Sequence, residues 1–215
     1  MKVNFSIVVL AGGQARRLGV DKALIVLKGK ALIERTVERV WARAEEVLIV
    51  TKSEKRAKSI ELVLEEPVKV IWDEDPRMET PLMGALTGFR EAQYENILLL
   101  GCDMPLIKPE VVDLLFTSYA ELAAPCDALI PQHPNGYLEP LCAIYKRDPA
   151  ITGLSQCLEE KAFKMISFIN SIPAVHFLPT AEIEKVDPDL ETFFNVNTRD
   201  DLVKLLRILE EGERE

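Results

Sequence analysis

Short apolar runs alternate with longer amphipathic stretches through the first half of the chain. The apolar runs are SIVVLAG, EVLIVT and VKVIWD, and the stretches between them are ALIERTVERVWARA and EKRAKSIELVLEE. Continuously apolar runs are typical of parallel strands that are buried on both faces, whereas the longer stretches have the spacing of amphipathic helices. The pattern therefore predicts a βαβαβ order, with a parallel sheet between layers of helices.

The same alternation continues to about residue 122. It predicts a helix over Pro81–Glu91, a strand over residues 96–100 and a helix over residues 110–122. Pro109 precedes that last helix at its first turn, where the missing N–H costs nothing. The expected fold class is thus α/β, with a mostly parallel central sheet flanked by helices on both faces.

The second half of the chain has a different character. CDALIPQ and YLEPLCAIYK read as two strands joined by HPNG, and the Asn135-Gly136 pair is a tight-turn signal, so a small antiparallel part is expected. Beyond it, the sequence predicts a helix over residues 161–170, short strands over 174–178 and 192–196, and an amphipathic helix over 199–210. No repeat or low-complexity linker divides the chain, so we predict one domain over residues 1–215.

The composition of the chain excludes several classes of function. The 215 residues are 48% hydrophobic and 28% charged, as in a globular protein, and the net charge of -9 argues against a general affinity for nucleic acid or anionic membranes. Four scattered cysteines and two histidines indicate neither a zinc site nor a disulfide framework. The longest apolar run falls far short of the roughly 18 residues that span a bilayer, so we expect a cytoplasmic protein.

The loop after the first predicted strand carries the most informative chemistry. In AGGQARRLGVDKAL, two glycines allow close approach of the backbone to a ligand, while Arg16, Arg17 and Lys22 concentrate positive charge. A triphosphate suits such a loop, because backbone amides and a lysine can hold phosphate oxygens and neutralise developing charge. The spacing fits neither GxGxxG nor GxxxxGK[ST]. Alternatively, the two glycines form a purely structural turn and the arginines lie on the surface without a ligand.

Two aspartates follow apolar runs at equivalent places. Asp73 comes after VKVIW and Asp103 after ILLLGC, so both are expected at the carboxyl ends of strands, where the ligand crevice of an open α/β sheet lies. A carboxylate in that position suits Mg²⁺, which binds through one or two carboxylates plus substrate phosphates. The alternative for either residue is a cap on the following helix or turn.

These segments together resemble one family. LAGGQARRLGVDKAL, LLLGCDMPL, EPLCAIY and FFNVNTRDDL occur in the order seen in the molybdenum cofactor guanylyltransferase (MobA) family, within the nucleotidyltransferases of Rossmann-like fold, and cover about residues 5–205. The resemblance implies transfer of GMP from GTP to a molybdopterin-type cofactor with Mg²⁺. It also implies a nucleotide-binding half over about residues 1–110, an acceptor-binding half over about 111–215, and molybdoenzymes or cofactor-insertion proteins as partners.

The resemblance also assigns roles to particular residues. Catalysis is assigned to Lys22, Arg17 and Asp103, with Asp103 as the metal ligand, and acceptor binding to Asn195 and Asn197. The nucleotide-binding positions are Leu10, Ala11, Gly12, Gly13, Lys22, Asp73 and Asp103. Two residues apart in an extended chain, Asn195 and Asn197 share a face. Alternatively, Asn197 or Thr198 simply caps the next helix.

Several positions depart from the family pattern and bear on specificity. Thr80 stands where the family has a glycine in its GPLAG loop, Tyr137 where it often has arginine, and Arg199 where it has proline. His133 is interpreted as a turn residue, because the sequence places no carboxylate or thiol beside it. The related cytidylyltransferases usually have LAAG where this chain has LAGG, and the resemblance therefore favours guanine over cytosine.

Three alternative functions stay open at this point. They are a cytidylyltransferase for the same cofactor, a transferase for another phosphorylated acceptor, and a nucleotide-binding regulatory protein. A regulatory protein without turnover would be expected to have lost Lys22 or Asp103, and this chain has both.

Overall fold

The computed structural model describes residues 3–12, 14–15, 20–73, 78 and 80–211. Its framework is a seven-stranded sheet whose strands are β1 (Phe5–Leu10), β2 (Glu46–Thr51), β3 (Lys69–Trp72), β4 (Asn96–Gly101), β5 (Ala128–Gln132), β6 (Cys142–Lys146) and β7 (Val175–Pro179). They lie in the order β7-β5-β6-β4-β1-β2-β3. All neighbouring pairs are parallel except those of β6, which runs antiparallel to both β4 and β5. The predicted parallel sheet with a small antiparallel part is confirmed.

Helices cover the two faces of this sheet. They are α1 (Leu32–Val40), α2 (Glu54–Glu61), α3 (Pro81–Glu91), α4 (Pro109–Ala120), α5 (Arg147–Glu159), α6 (Met165–Ser171), α7 (Thr180–Ile183) and α8 (Arg199–Glu211). Single 3₁₀ turns occur at Lys22–Leu24, Trp41–Arg43 and Glu191–Phe193. No helix in the described ranges is both long and apolar enough to cross a membrane.

Alternate residues of the strands form two hydrophobic cores. Ile7 and Val9 of β1 face the side covered by α1, α2 and α4, whereas Val8 faces the side covered by α3, α5 and α6. All three side chains are fully buried. Burial on both faces explains why these strands read as continuous apolar runs.

The C-terminal helix has its own contact with the rest of the fold. Leu205 of α8 is fully buried against Leu32 at the start of α1 and against Val196, which precedes the helix. This packing holds residues 194–198 close to the end of β4.

The expected strand over residues 192–196 was wrong. Thr192 lies in the 3₁₀ turn Glu191–Phe193, where its amide donates to Asp187 (2.8 Å) and its hydroxyl accepts from the amide of Lys108 (3.1 Å). The amide of Val196 donates to the carbonyl of Asp103 at 3.0 Å. Since these groups bond to loops and not to a neighbouring strand, the segment joins no sheet.

The predicted helix over residues 161–170 begins late, and the helix α5 before it was missed. Pro149 and Gly153 weaken the helical signal of α5. A Cβ at position 153 would lie 2.3 Å from the Ser171 hydroxyl oxygen, so glycine allows α6 to approach α5 closely. Lys161 has a positive φ of 58°, which separates the two helices, and α6 starts only at Met165.

Gly88 is where α3 lies closest to the sheet. A Cβ there would come within 2.4 Å of Val8 Cγ1 and 3.0 Å of Val50 Cγ2, in the middle of a buried face. Valine has little rotameric freedom, so the contact can be relieved only by moving α3. That movement would shift the N-terminus of the helix, which faces the glycine-rich loop across Leu10 and Gly84.

We predict that Gly88→Ala destabilises the protein by about 1–3 kcal/mol, as overpacking of a close-packed interior does, despite the better helix propensity of alanine. Urea unfolding gives the free energy. Gly84→Ala on the same helix is the matched control, since its nearest contact would be 3.3 Å from Leu10 Cδ2, and it should lose less. Equal losses for the two variants would contradict the proposed tight contact.

Candidate active site

The site lies at the carboxyl ends of the four parallel strands β1 to β4. Leu10 to Gly12 follow β1, Lys52 follows β2, Asp73 follows β3, and Asp103 follows β4. Because parallel strands end at the same edge, these residues from distant parts of the chain come together there.

The centre of the site is the ammonium group of Lys22. Its Nζ donates to Asp103 Oδ2 at 2.6 Å and to Asn197 Oδ1 at 2.8 Å. Lys22 is only 7% exposed, so the ion pair is largely shielded from water. Charge-assisted hydrogen bonds of this length are among the stronger polar interactions in proteins.

Local structure holds Lys22, Asp103 and Asn197 in place. Lys22 begins a 3₁₀ turn that Asp21 caps, with Asp21 Oδ1 accepting from the amide of Ala23 at 3.1 Å. Gly101 leaves room for the carboxylate of Asp103, since a Cβ at position 101 would lie 2.4 Å from Asp103 Oδ1.

Asn197 is held by the cap of α8. Asp201 Oδ2 accepts from the amides of Asn197 (2.9 Å) and Thr198 (2.8 Å), and the Asp201 amide donates back to the Thr198 hydroxyl at 3.2 Å. Such a reciprocal cap satisfies the first amides of a helix. Thr198 is therefore a capping residue, whereas the side chain of Asn197 reaches Lys22.

Two further cations stand beside the glycine-rich loop, and the sequence analysis did not single them out. Arg56 of α2 pairs with Asp21 at 2.5 Å, between its Nη2 and the carboxylate Oδ1, and so ties α2 to the turn that carries Lys22. A Cβ at Gly12 would lie 3.7 Å from Lys52 Cγ, which places the lysine stem against the loop. No sequence motif marks these residues, because they come from β2 and α2.

Asp73 is buried at the end of β3. It is 6% exposed, and its Oδ1 has no hydrogen-bond partner among the described residues. Burial raises the pKa of Asp73 to about 6, and the positive charges of Lys52 and Arg56 oppose the rise. A buried acceptor without a donor is costly, so this oxygen is suited to a hydroxyl or N–H group of a ligand.

The glycine-rich loop is described only in part. The amide of Ala11 already donates to the carbonyl of Val50 at 2.8 Å, and the Leu10 carbonyl accepts from the amide of Cys102 at 3.1 Å. Gly12 is the first loop residue beyond these bonds. Gly13 and Arg17, to which nucleotide and phosphate contacts were assigned, lie outside the described residues.

A cavity of about 580 Å³ opens beside this cluster. Asp103, Asn195 and Asn197 contribute to its wall, together with the segment 136–141 and the α6 residues Met165, Ile166 and Ile169. Asn195 also donates from Nδ2 to the carbonyl of Phe193 at 3.0 Å. The structure thus brings both asparagines to one cavity, as their spacing predicted, although the segment is not a strand.

His133 is a turn residue, as expected, but it does have a carboxylate partner. Its amide donates to the carbonyl of Tyr137 at 2.8 Å, and its Nε2 lies 3.0 Å from Glu139 Oε1. The hairpin turn at Gly136, with φ of 83°, brings the two side chains together. Glu139 is the first residue of the EPLCAIY motif. The sequence alone did not show that the turn would bring its side chain against His133.

No cluster of three or more His, Cys, Asp or Glu side chains that could hold a metal ion occurs in the part of the chain that the structure describes. The hard oxygen donors at the site are instead the carboxylate of Asp103 and the amide oxygen of Asn197, which converge on Lys22 Nζ. Oxygen donors of this type suit Mg²⁺ when substrate phosphates supply further ligands.

The mostly parallel sheet, with a glycine-rich loop and the buried Lys22 at its carboxyl edge, has the arrangement of a nucleotidyltransferase with a Rossmann-like fold. Residues 7–171 match the family described as the MobA-like NTP transferase domain, and the chain belongs to that family.

Named relatives and a solved structure agree with this assignment. A probable molybdenum cofactor guanylyltransferase of Methanosarcina mazei is 32% identical over 208 residues, which are 94% of this chain and 89% of the relative. One from Thermococcus kodakarensis is 34% identical, with 92% of each chain covered. The crystal structure of molybdopterin-guanine dinucleotide biosynthesis protein A from Archaeoglobus fulgidus superposes with a TM-score of 0.81 at 30% identity, covering 96% of this chain and 99% of that one.

The raised pKa of Asp73 predicts how stability depends on pH. The folded state holds this proton more tightly than the unfolded chain, in which aspartate has a pKa of about 3.9. The contribution of Asp73 to the free energy of unfolding therefore falls as pH rises from about 4 to about 6, and is constant above that. Asp73→Asn should lack this fall, so its stability relative to wild type should be greater at pH 7 than at pH 4.5.

Urea midpoints at the two pH values test this expectation. Asp189→Asn is the control, because Asp189 is exposed and the same charge is removed there. If Asp73→Asn and Asp189→Asn change stability by the same amount at both pH values, Asp73 does not titrate as burial requires.

Proposed function

We propose that this protein transfers GMP from GTP to a molybdopterin-type cofactor and releases pyrophosphate. The observation that carries the proposal is Lys22, held by Asp103 and Asn197 at the carboxyl edge of the sheet beside a cavity of acceptor size. The names of the relatives support the choice of substrates. A phosphorylated cofactor and GTP are metabolites of the cytoplasm, where we place the reaction.

The chemistry we propose has no covalent enzyme intermediate. A terminal phosphate oxygen of the acceptor attacks the α-phosphorus of GTP in line, and the bond from that phosphorus to the oxygen bridging to the β-phosphate breaks. Pyrophosphate carries away the bonding electron pair. Catalysis then rests on positioning and on positive charge placed where negative charge develops.

Each residue at the site has a part in this scheme. Lys22 faces the charge that develops on the departing pyrophosphate, and we assign Arg17 to the β- and γ-phosphates. Asp103, with the amide oxygen of Asn197, would hold Mg²⁺. The metal would neutralise phosphate charge when bound.

The nucleoside and the acceptor take the remaining groups. We assign Leu10, Ala11, Gly12 and Gly13 to contacts with the nucleotide. The unpartnered Oδ1 of Asp73 is the acceptor for a donor group of the nucleoside. Asn195 and Asn197 face the acceptor in the cavity.

The proposal predicts a preference among nucleotides. With molybdopterin and Mg²⁺, GTP should give pyrophosphate at the highest kcat/KM of the four NTPs, and it should bind more tightly than CTP. A tenfold preference for CTP, equal to about 1.4 kcal/mol, would replace the guanylyl assignment with a cytidylyl one. Pyrophosphate release that does not depend on molybdopterin would reject the acceptor.

A second prediction concerns Lys22. A side chain that acts on charge developing during transfer affects turnover more than ground-state affinity, so Lys22→Met should lower kcat on the order of 100-fold while the KM for GTP changes little. Lys185→Met makes the same change at an exposed ion pair and should leave kcat unaltered.

Stability must be checked in both lysine variants, because Lys22 also joins Asp103 to Asn197. Equal urea midpoints would show that the lower kcat is not the result of partial unfolding. A higher KM with an unaltered kcat would make Lys22 a binding residue only.

A further inference from the structure

The cavity beside Lys22 combines an apolar wall with acidic and amide groups. Its apolar members include Leu138, Pro140, Leu141 and Ile169, and its carboxylates are Asp103 and Glu139. No lining residue from the described part of the chain is a lysine, arginine or histidine. Asp103 has Lys22 as its counterion, whereas among the described residues Glu139 is paired with the imidazole of His133 alone.

Glu139 is held firmly by the backbone and by His133. Its amide donates to the carbonyl of Pro131 at 3.0 Å, and its carbonyl accepts from the amide of Cys142 at 3.1 Å. Its side chain is 13% exposed, and Oε1 lies 3.0 Å from His133 Nε2. Among the described residues, Oε2 has no hydrogen-bond partner.

Such a group constrains what the cavity can bind. Burial raises the pKa of Glu139, and the hydrogen bond from His133 opposes that rise. An ionised carboxylate offers about four acceptor sites, of which His133 uses one. A phosphate beside it would be repelled, since no lysine or arginine of the described residues lines this wall. A flat ring with two adjacent N–H donors would satisfy the carboxylate and bury its faces against the apolar wall.

We propose that Glu139 is the specificity-determining residue for the acceptor, accepting hydrogen bonds from the ring N–H and the 2-amino group of a 2-amino-4-oxopyrimidine edge. A pterin carries this edge. The inference rests on the proposed function, which supplies a pterin acceptor, and it adds the residue that recognises the ring. His133 is a positioning residue that fixes the rotamer of Glu139.

This assignment orients the acceptor in the cavity. The ring edge lies at Glu139, and the terminal phosphate reaches towards the ammonium group of Lys22 at the other end of the cavity. Guanine carries the same donor edge as a pterin, so the nucleotide base is the competing occupant. A dependence of the KM for molybdopterin on Glu139 would indicate the pterin, whereas a dependence of the KM for GTP would indicate guanine.

The experiment compares wild type with Glu139→Gln, which keeps the shape of the side chain but turns a donor towards the cavity. The KM for molybdopterin should rise on the order of 10- to 100-fold, as expected for loss of hydrogen bonds to a charged group, while the KM for GTP stays within about twofold. Glu121→Gln, an exposed residue after α4, is the matched control and should change neither.

Competition by two small inhibitors tests recognition of the ring directly. The preference between them would not change if Glu139 had a merely structural role. Pterin has a 2-amino group, whereas lumazine has a 2-oxo group in its place. Wild type should be inhibited about tenfold more strongly by pterin, and Glu139→Gln should prefer lumazine. His133→Phe, which keeps a ring but loses the donor, should weaken the preference for pterin with little change in kcat.

Failure of this inference differs from failure of the proposed function. If wild type transfers GMP to molybdopterin but Glu139→Gln retains the preference for pterin, Glu139 does not recognise the ring. A rise in the KM for GTP instead of molybdopterin would make Glu139 a guanine reader and overturn the assignment. If wild type transfers no GMP to molybdopterin, the proposed function itself is rejected, and the inference with it.

Discussion

The ammonium group of Lys22 is shared between two acceptors that lie 81 and 175 residues further along the chain. A buried lysine must be paired, because an isolated ammonium group in a poorly solvated site is very costly. The glycine-rich loop, the end of β4 and the entry to α8 therefore cannot move independently of one another. The parallel strands bring these segments to the carboxyl edge of the sheet, and the pairing of Lys22 fixes them against one another there.

The surrounding structure supports that pairing from two directions. The amide of Val196 bonds to the carbonyl of Asp103, and Leu205 packs against Leu32, so α8 is fixed to the sheet by both polar and apolar contacts. On the other side, Arg56 holds Asp21, whose side chain caps the turn that begins with Lys22. The site is thus held by elements from both halves of the chain.

Patterning predicted most of the fold, because the central strands are buried on both faces and read as continuous apolar runs. It failed where local signals conflict with tertiary contacts. Pro149 and Gly153 obscure α5, although Gly153 is needed for the packing of α6. Residues 192–196, TFFNV, are rich in the aromatic and β-branched residues that favour strands, but the backbone amides there bond to loops.

The residues of the candidate site were likewise predicted only where they stand in a sequence motif. Lys22, Asp103 and the two asparagines stand in motifs. The structure places Asp103 and both asparagines on one cavity, with Lys22 bonded to Asp103 and Asn197 beside it, although their roles stay predictions. Arg56, Lys52 and the pairing of His133 with Glu139 depend on contacts between separate elements or on the folding of a turn. No short stretch of sequence encodes such a contact by itself.

Strand β6, which runs against its neighbours in the seven-stranded sheet, has a consequence for how the protein could change. In a fully parallel sheet, a segment that leaves a strand at the carboxyl edge must cross to the opposite edge before the next strand begins. Since β6 runs in the opposite direction, the hairpin between β5 and β6, residues 133–141, both begins and ends at the edge where Asp103 lies. This hairpin belongs to none of the segments that carry the lysine, the aspartates or the glycine-rich loop. Its length and side chains could therefore diverge to accept a different ring while the phosphate chemistry stays intact.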